Sequence, residues 1–139
     1  MELLENLIRR RVLEIAGILN LSRYIAFPYF FTYFDDYDAS LSGWFRDSIT
    51  FVDGSRLWIR EAYQLADWEL VIRYGYVYSD ASGNERLRFD NAPHHPSVWT
   101  FPHHKHIAGE VEAKPFSGDL QDAIAEIDAL IAANLASRD

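Results

Sequence analysis

The sequence of 139 residues contains no cysteine. That absence excludes disulfide bonds, zinc sites built from thiolates and a cysteine nucleophile. It is typical of a protein in a reducing compartment, so we expect a cytoplasmic location. The length corresponds to one domain, and we assign residues 1–139 to a single domain with one core.

Long apolar runs are also missing from the sequence. No run approaches the roughly 18 residues that a membrane-spanning helix needs. The N-terminal residues Met1–Glu5 lack the basic and then apolar order of a signal peptide. We therefore expect no association with a membrane.

Glycine is scarce and scattered, and this excludes two kinds of active site. Gly75, Gly83 and Gly109 stand alone, so there is no glycine-rich loop that would cradle a phosphate. The Gly-x-Ser-x-Gly motif of serine hydrolases is absent as well. The net charge of −8 argues against nonspecific coating of nucleic acids, although the local charge decides what a particular site attracts.

Apolar residues recur at helical spacing at both ends of the chain. Leu4, Ile8, Ile15 and Leu19 lie on one stripe, which predicts an amphipathic helix over 2–21. A second stripe predicts a helix over 119–136, with Ser117 or Asp119 as its N-cap. Three consecutive arginines at 9–11 form a basic turn of the first helix and are expected to face solvent.

Between the helices, residues 24–90 form short runs of strand-forming residues with short connections, which predicts a β-sheet. The run at 24–34 is apolar on both alternating sets, which is typical of a strand covered on both sides. Asp53-Gly54 supplies a tight hairpin turn. Sequential strands with short loops favour an antiparallel meander, so the fold class is α+β, with a sheet of about five strands packed by an N-terminal and a C-terminal helix. The predicted strands are Tyr24–Phe34, Trp44–Val52, Leu57–Tyr63, Trp68–Tyr78 and Glu85–Asp90.

Residues 91–118 have no sustained period and contain four of the five prolines. Proline fixes φ and removes a hydrogen-bond donor, so we interpret the segment as a rigid, irregular loop. A long loop of this kind in a compact domain is usually functional or disordered.

All five histidines lie within thirteen residues of that loop, and the pair Pro-His-His occurs twice. Imidazole titrates near neutrality, so two histidines at one site can act as base and acid. Cleavage of RNA through its 2′-hydroxyl needs such a pair, together with cations for the phosphate. The candidate acid–base residues are His94, His95, His103, His104 and His106, with Asp90 to orient one of them, and the candidate phosphate ligands are Arg73, Arg88 and Lys105.

The spacing also indicates which histidines share a face. Neighbouring residues of an extended chain point to opposite sides, so at most one of His94 and His95 reaches a common point. His104 and His106, two residues apart, share a face if that segment is extended. Trp99, Phe101 or tyrosines are candidates to stack on unpaired bases.

Three other interpretations remain open at this stage. The first is a site for a divalent metal such as zinc, with His94, His104, His106 and Asp90 as the alternative ligands. The acid–base mechanism, by contrast, needs no metal or other cofactor. A second is that the histidines are structural and satisfy buried carbonyl groups. A third is a protein without enzymatic activity whose proline-rich segment binds another protein.

The motifs around the histidines resemble a known family. Arg-Phe-Asp-Asn-Ala-Pro-His-His-Pro at 88–96 and Thr-Phe-Pro-His-His-Lys-His at 100–106 are similar to the TumE-like family of small prokaryotic proteins. The resemblance is dense from Arg86 to His106. It implies the toxin of a toxin–antitoxin pair, acting on RNA and neutralised by an antitoxin protein from a neighbouring gene. A homodimer is left open.

Overall fold

The computed structural model describes residues 2–26, 33–34 and 42–138. Along the chain, one helix precedes the strands and another follows them. The elements are α1 (Glu2–Leu19), β1 (Tyr33–Phe34), β2 (Ser42–Thr50), β3 (Arg56–Ala66), β4 (Glu69–Ser79), β5 (Glu85–Asp90), β6 (His104–Ile107), β7 (Lys114–Pro115) and α2 (Leu120–Ala136). In these ranges, neither helix combines the length and the apolar character needed to cross a membrane.

The strands form one antiparallel sheet whose order is the order of the sequence, β1 to β7. The predicted α+β class and the meander are confirmed. Of the two predicted N-caps of α2, Asp119 is the cap, because its carboxylate accepts a hydrogen bond from the Gln121 backbone N–H. The predicted strand over 24–34 includes residues 27–32, which lie outside the described residues. Of the rest, Ile25 forms a β-bridge with Phe51, and β1 pairs with β2.

The number of strands is seven rather than about five, because β6 and β7 lie inside the segment predicted as a loop over 91–118. Strand β6 has four residues, and its inward-facing Lys105 is paired with Glu126 of α2 instead of being apolar. The alternation of apolar and polar residues that identifies a strand in a sequence is therefore missing there. Residues 91–103 remain irregular, and Thr100 ties them to the sheet by hydrogen bonds to the His103 carbonyl and from the Phe116 N–H.

Both helices pack on the same face of the sheet and enclose the hydrophobic core. Alternate residues of β3 and β4 point into this core, which gives the regular alternation of burial along β3. Ser22 after α1 donates a hydrogen bond to Asp128 of α2 at 2.7 Å. The fully buried side chains include Leu4, Ile8, Ile15, Leu19, Phe45, Ile49, Leu57, Ile59, Phe89, Ile127 and Ile131.

One buried ion pair joins α1 to the sheet. Glu61 of β3 is fully buried, and Arg11 of α1 binds its two oxygens at 2.9 and 2.8 Å. The hydroxyls of Tyr63 and Tyr76 donate to the same carboxylate, and burial followed by the charge of Glu61 raises the pKa of both phenols. Of the three arginines expected to face solvent, Arg11 is therefore a structural ion-pair partner.

Replacing Arg11 with methionine is expected to destabilise the fold. The stem of the side chain is kept, but the fully buried carboxylate of Glu61 loses its cation, which costs about 3–5 kcal/mol. Urea unfolding followed by circular dichroism measures the change in the free energy of unfolding. The matched control is Arg10→Met, because Arg10 is exposed on the same turn and its loss is expected to cost under about 0.5 kcal/mol. Equal stabilities of the two variants would contradict the role of the ion pair.

Candidate functional site

The face of the sheet opposite the helices carries a cleft of about 1000 Å³. In the described part of the chain, no helix covers this face, which we call the open face. The cleft is lined by outward residues of β2 to β6 and by the segment after β5. Those that carry charge or an aromatic ring include Arg46, Trp58, Arg60, Arg88, Asp90, His94, His95, His104 and His106.

The pairing of β5 with β6 brings the ends of the two histidine motifs together. Asp90 lies opposite His104, and Arg88 lies opposite His106. Opposite residues of an antiparallel pair have their Cβ atoms about 4.5–5.5 Å apart, so each pair is in contact range. Arg88, Asp90, His104 and His106 all project to the open face, since Leu87 and Phe89 point into the core. His104 and His106 thus share a face, as their spacing predicts.

His104 is held by acceptors on both of its ring nitrogens. Nδ1 lies 3.0 Å from the Pro102 carbonyl oxygen, which can only accept, so Nδ1 carries a hydrogen. Nε2 lies 3.0 Å from the Asp90 carboxylate, which also accepts when it is ionised. The contacts on the two sides of the ring, with the Pro102 carbonyl and the Asp90 carboxylate, orient the buried imidazole. Asp90 thus lies against one of the candidate histidines, and the contact is to Nε2.

Three imidazole rings form a compact group in the cleft. The centroid of His95 is 4.7 Å from that of His104 and 5.2 Å from that of His106, and the last two are 5.0 Å apart. The rings meet edge to face. Neither His95 nor His106 has a hydrogen-bond partner on its ring nitrogens among the described residues, so these nitrogens are available to a substrate.

The surroundings of His106 favour its neutral form. Burial lowers its pKa from the ordinary 6.5, and the charges of His104, His95 and Arg88 lower it further, against the opposing effect of Asp90. A neutral imidazole at pH 7 can accept a proton. Among the three clustered rings, His106 has the environment of a general base.

His94 lies beside this group and does not belong to it. Its side chain is exposed at the edge of the cleft, and its backbone N–H bonds the Ala92 carbonyl within a turn. The structure therefore places His95, and not the predicted alternative ligand His94, beside His104 and His106. Only one of the two adjacent histidines reaches the cluster, as the extended-chain argument predicts.

His103 points to the opposite side of the sheet and is not part of the cluster. Its Nδ1 lies 2.8 Å from the hydroxyl of Tyr74, whose pKa is raised by burial and then by the charges of Asp90 and Glu61. The ring stacks on Tyr74 and lies against Gly118, where a Cβ atom would be 2.5 Å from Nδ1. His103, predicted from the sequence as a catalytic candidate, is separated from the other three rings because adjacent residues of an extended chain alternate sides.

Of the three predicted phosphate ligands, only Arg88 lines the cleft. It is half-exposed and paired with Glu85 at 2.7 Å. Lys105 projects to the helix side, where its ammonium binds both oxygens of Glu126 at 2.9 and 3.0 Å. Arg73 is exposed on the open face but lies outside the residues that line the cleft.

Two arginines and a tryptophan of the cleft were not among the sequence candidates. Arg46 and Arg60 face each other across β2 and β3, and Trp58 is the next outward residue of β3. Their position on the polar phase of the predicted strands is the signal in the sequence, since that phase faces away from the core. The local sequence does not show which distant strands pair, so it does not predict that these three residues lie near the histidines.

The histidine group also has the dimensions of a metal site. His95, His104 and His106 offer ligand atoms that lie within 4.8 Å of one another. Imidazole is a good ligand for zinc and related ions. A metal ion bound by His104 would, however, have to replace the Pro102 carbonyl or the Asp90 carboxylate at one ring nitrogen.

A comparison with known families agrees with the motifs of the site. The family model described as Toxin TumE matches residues 26–132, a range that contains the whole sheet and the histidine cluster. No curated protein and no solved structure matches the chain. Since the match covers most of the sequence, the chain belongs to the TumE toxin family.

Proposed function

We propose that this protein is the toxin of a toxin–antitoxin pair and acts in the cytoplasm as a metal-independent ribonuclease. The observation that carries the proposal is the group of three imidazoles in the cleft. Two of them, His95 and His106, have ring nitrogens without a hydrogen-bond partner among the described residues, and the third, His104, lies 3.0 Å from Asp90. Base and acid can then act on one phosphate from the same small site.

The reaction follows from these roles. Neutral His106 removes the proton from the ribose 2′-hydroxyl, and the 2′-oxygen attacks the neighbouring phosphorus. The bond from phosphorus to the 5′-oxygen breaks, and protonated His95 gives its proton to that oxygen. The products are a 2′,3′-cyclic phosphate and a free 5′-hydroxyl, so atoms and charge balance.

The remaining residues of the cluster stabilise charge and position the rings. The pair of His104 and Asp90 lies beside His95 and His106, and Arg88 lies opposite His106 across the strand pair. Charges that are already oriented before the reaction stabilise the phosphorane most effectively. His104 is held by a hydrogen bond with the Pro102 carbonyl and by the contact with Asp90, so we assign it as a positioning residue.

The family also indicates a protein partner. Toxins of this kind are expected to be neutralised by a cognate antitoxin, and a homodimer is the alternative association. A protein without enzymatic activity that acts only by binding another protein is the competing hypothesis. Cleavage of RNA by the purified chain separates the two.

Substitution of His106 by asparagine is expected to lower kcat on single-stranded RNA by about 100- to 10,000-fold, the usual contribution of general acid–base catalysis. The variant should also relieve growth inhibition when it is expressed. The control is His103→Asn, the same change on the opposite side of the sheet, which is expected to reduce stability while kcat is retained. Equal loss of activity in both variants, with equal loss of stability, would favour a structural role for the histidines.

The pH dependence of kcat/KM should show an acid limb set by His106. The base must be neutral, so activity is lost as the pH falls through its pKa, and that pKa lies below 6.5. Rates measured between pH 4.5 and pH 8 would locate the midpoint. Replacing Arg88 with glutamine removes one charge that lowers the pKa, and is expected to move the midpoint upward. A wild-type midpoint above 6.5 would contradict the assignment.

Metal-dependent cleavage is the second candidate, because the three ligand atoms are close enough to bind one ion. Incubation of the protein with RNA and EDTA distinguishes the two mechanisms. We expect cleavage to continue and to leave 2′,3′-cyclic phosphate ends. Loss of cleavage with EDTA, followed by recovery with zinc or manganese, would establish the metal mechanism instead.

A further inference from the structure

Trp58 lies on the open face, in line with the histidine cluster. It pairs with Val77 of β4, which pairs with Arg88 of β5, which pairs with His106 of β6. Three strand spacings of about 4.8 Å put its backbone roughly 14 Å from that of His106. The indole is 47% exposed although it lies in the central part of the sheet, and the guanidinium of Arg56 is 5.8 Å from the ring centroid.

A second row of residues on the open face adds cations. Arg46 pairs with Arg60, Arg60 with Gly75, Gly75 with Asp90, and Asp90 with His104. Gly75 has no side chain, and Nη2 of Arg60 lies 3.7 Å from the position that a Cβ atom would occupy there. The guanidinium of Arg60 therefore extends over the neighbouring strand.

The charges of these arginines are not neutralised in the described structure. Arg60 pairs with no carboxylate, and Arg46 contacts the ring of Trp44. Four acids line the cleft, and three of them lie beside a cation or a histidine, in the pairs Glu85–Arg88, Glu110–Lys114 and Asp90–His104. The fourth, Asp47, accepts a hydrogen bond from the Ser48 N–H. A chain with a net charge of −8 thus concentrates unpaired positive charge beside its candidate active site.

We propose that the open face binds an unpaired RNA strand, with a base stacked on Trp58 and backbone phosphates on Arg60 and Arg46. This inference rests on the proposed ribonuclease function and names its substrate class. An unpaired base can stack on an indole ring, whereas a base inside a duplex is already paired and stacked on its neighbours. The roughly 14 Å between the strands of Trp58 and His106 corresponds to about four nucleotides at the stacked spacing of 3.4 Å.

The test measures binding separately from cleavage. A fluorescein-labelled 2′-O-methyl RNA hexamer cannot be cleaved, because its 2′-oxygen carries no proton, and fluorescence anisotropy gives its Kd. We expect the single strand to bind more tightly than the same hexamer annealed to its complement. Trp58→Ala should raise the Kd of the single strand by about 5- to 150-fold, and Trp58→Phe, which keeps an aromatic face, by less.

Matched controls isolate stacking and charge. Trp68→Ala removes an indole that is 81% exposed at the turn between β3 and β4, and is expected to leave the Kd unchanged. Arg60→Gln should decrease the slope of log Kd against log salt concentration by about 0.7, the value for one phosphate contact on a single strand. Circular dichroism of each variant checks that it is folded.

Several results would overturn the proposal. These are equal binding of the single strand and the duplex, equal Kd values for Trp58→Ala and Trp68→Ala, and displacement of the hexamer by a poly-glutamate peptide of the same charge. If the hexamer binds as expected and RNA is not cleaved, the ribonuclease proposal fails alone. If RNA is cleaved and Trp58→Ala leaves the Kd unchanged, the binding surface fails alone.

Discussion

The antiparallel pairing of β5 with β6 is the constraint on which the candidate site depends. Its register places Asp90 opposite His104 and Arg88 opposite His106, so both outward pairs combine a histidine with a charged residue. A shift of either strand by one residue would turn the outward side chains of that strand toward the helices. Leu87, Phe89 and Ile107 oppose such a shift, because their burial on the helix side would be lost.

The acidic side chains on the two faces of the sheet, Glu61 and Asp90, have different surroundings. On the helix side, Glu61 is surrounded by Arg11 and two tyrosine hydroxyls, so its acceptors are used and nothing is left for a ligand. On the open face, Asp90 lies 3.0 Å from Nε2 of His104 and accepts a hydrogen bond from the Ala92 N–H, while His95 and His106 keep ring nitrogens without a partner among the described residues. The first arrangement stabilises a fold, and the second leaves groups that can react.

Most of the architecture could be predicted from the sequence, because it follows from periodicity. The stripes at both ends of the chain give α1 and α2 to within about two residues, and the alternation of residues 42–90 gives β2 to β5 in order. Strand β6 could not be predicted in this way. Lys105 occupies its inward position, and what makes that position acceptable is Glu126 of α2, a residue 21 positions away.

The sequence by itself determined which residue types are concentrated near the site, since that follows from composition. It placed His104 and His106 on one face only on the condition that their segment is extended, and the structure met that condition by forming β6. Only the tertiary structure decided which of them act together. It selected His95 over His94, turned His103 and Lys105 to the helix side, and added Arg46, Arg60 and Trp58 from strands far away in sequence. The physical reason is that strand pairing and alternation are set by burial of the whole sheet, which no local segment specifies.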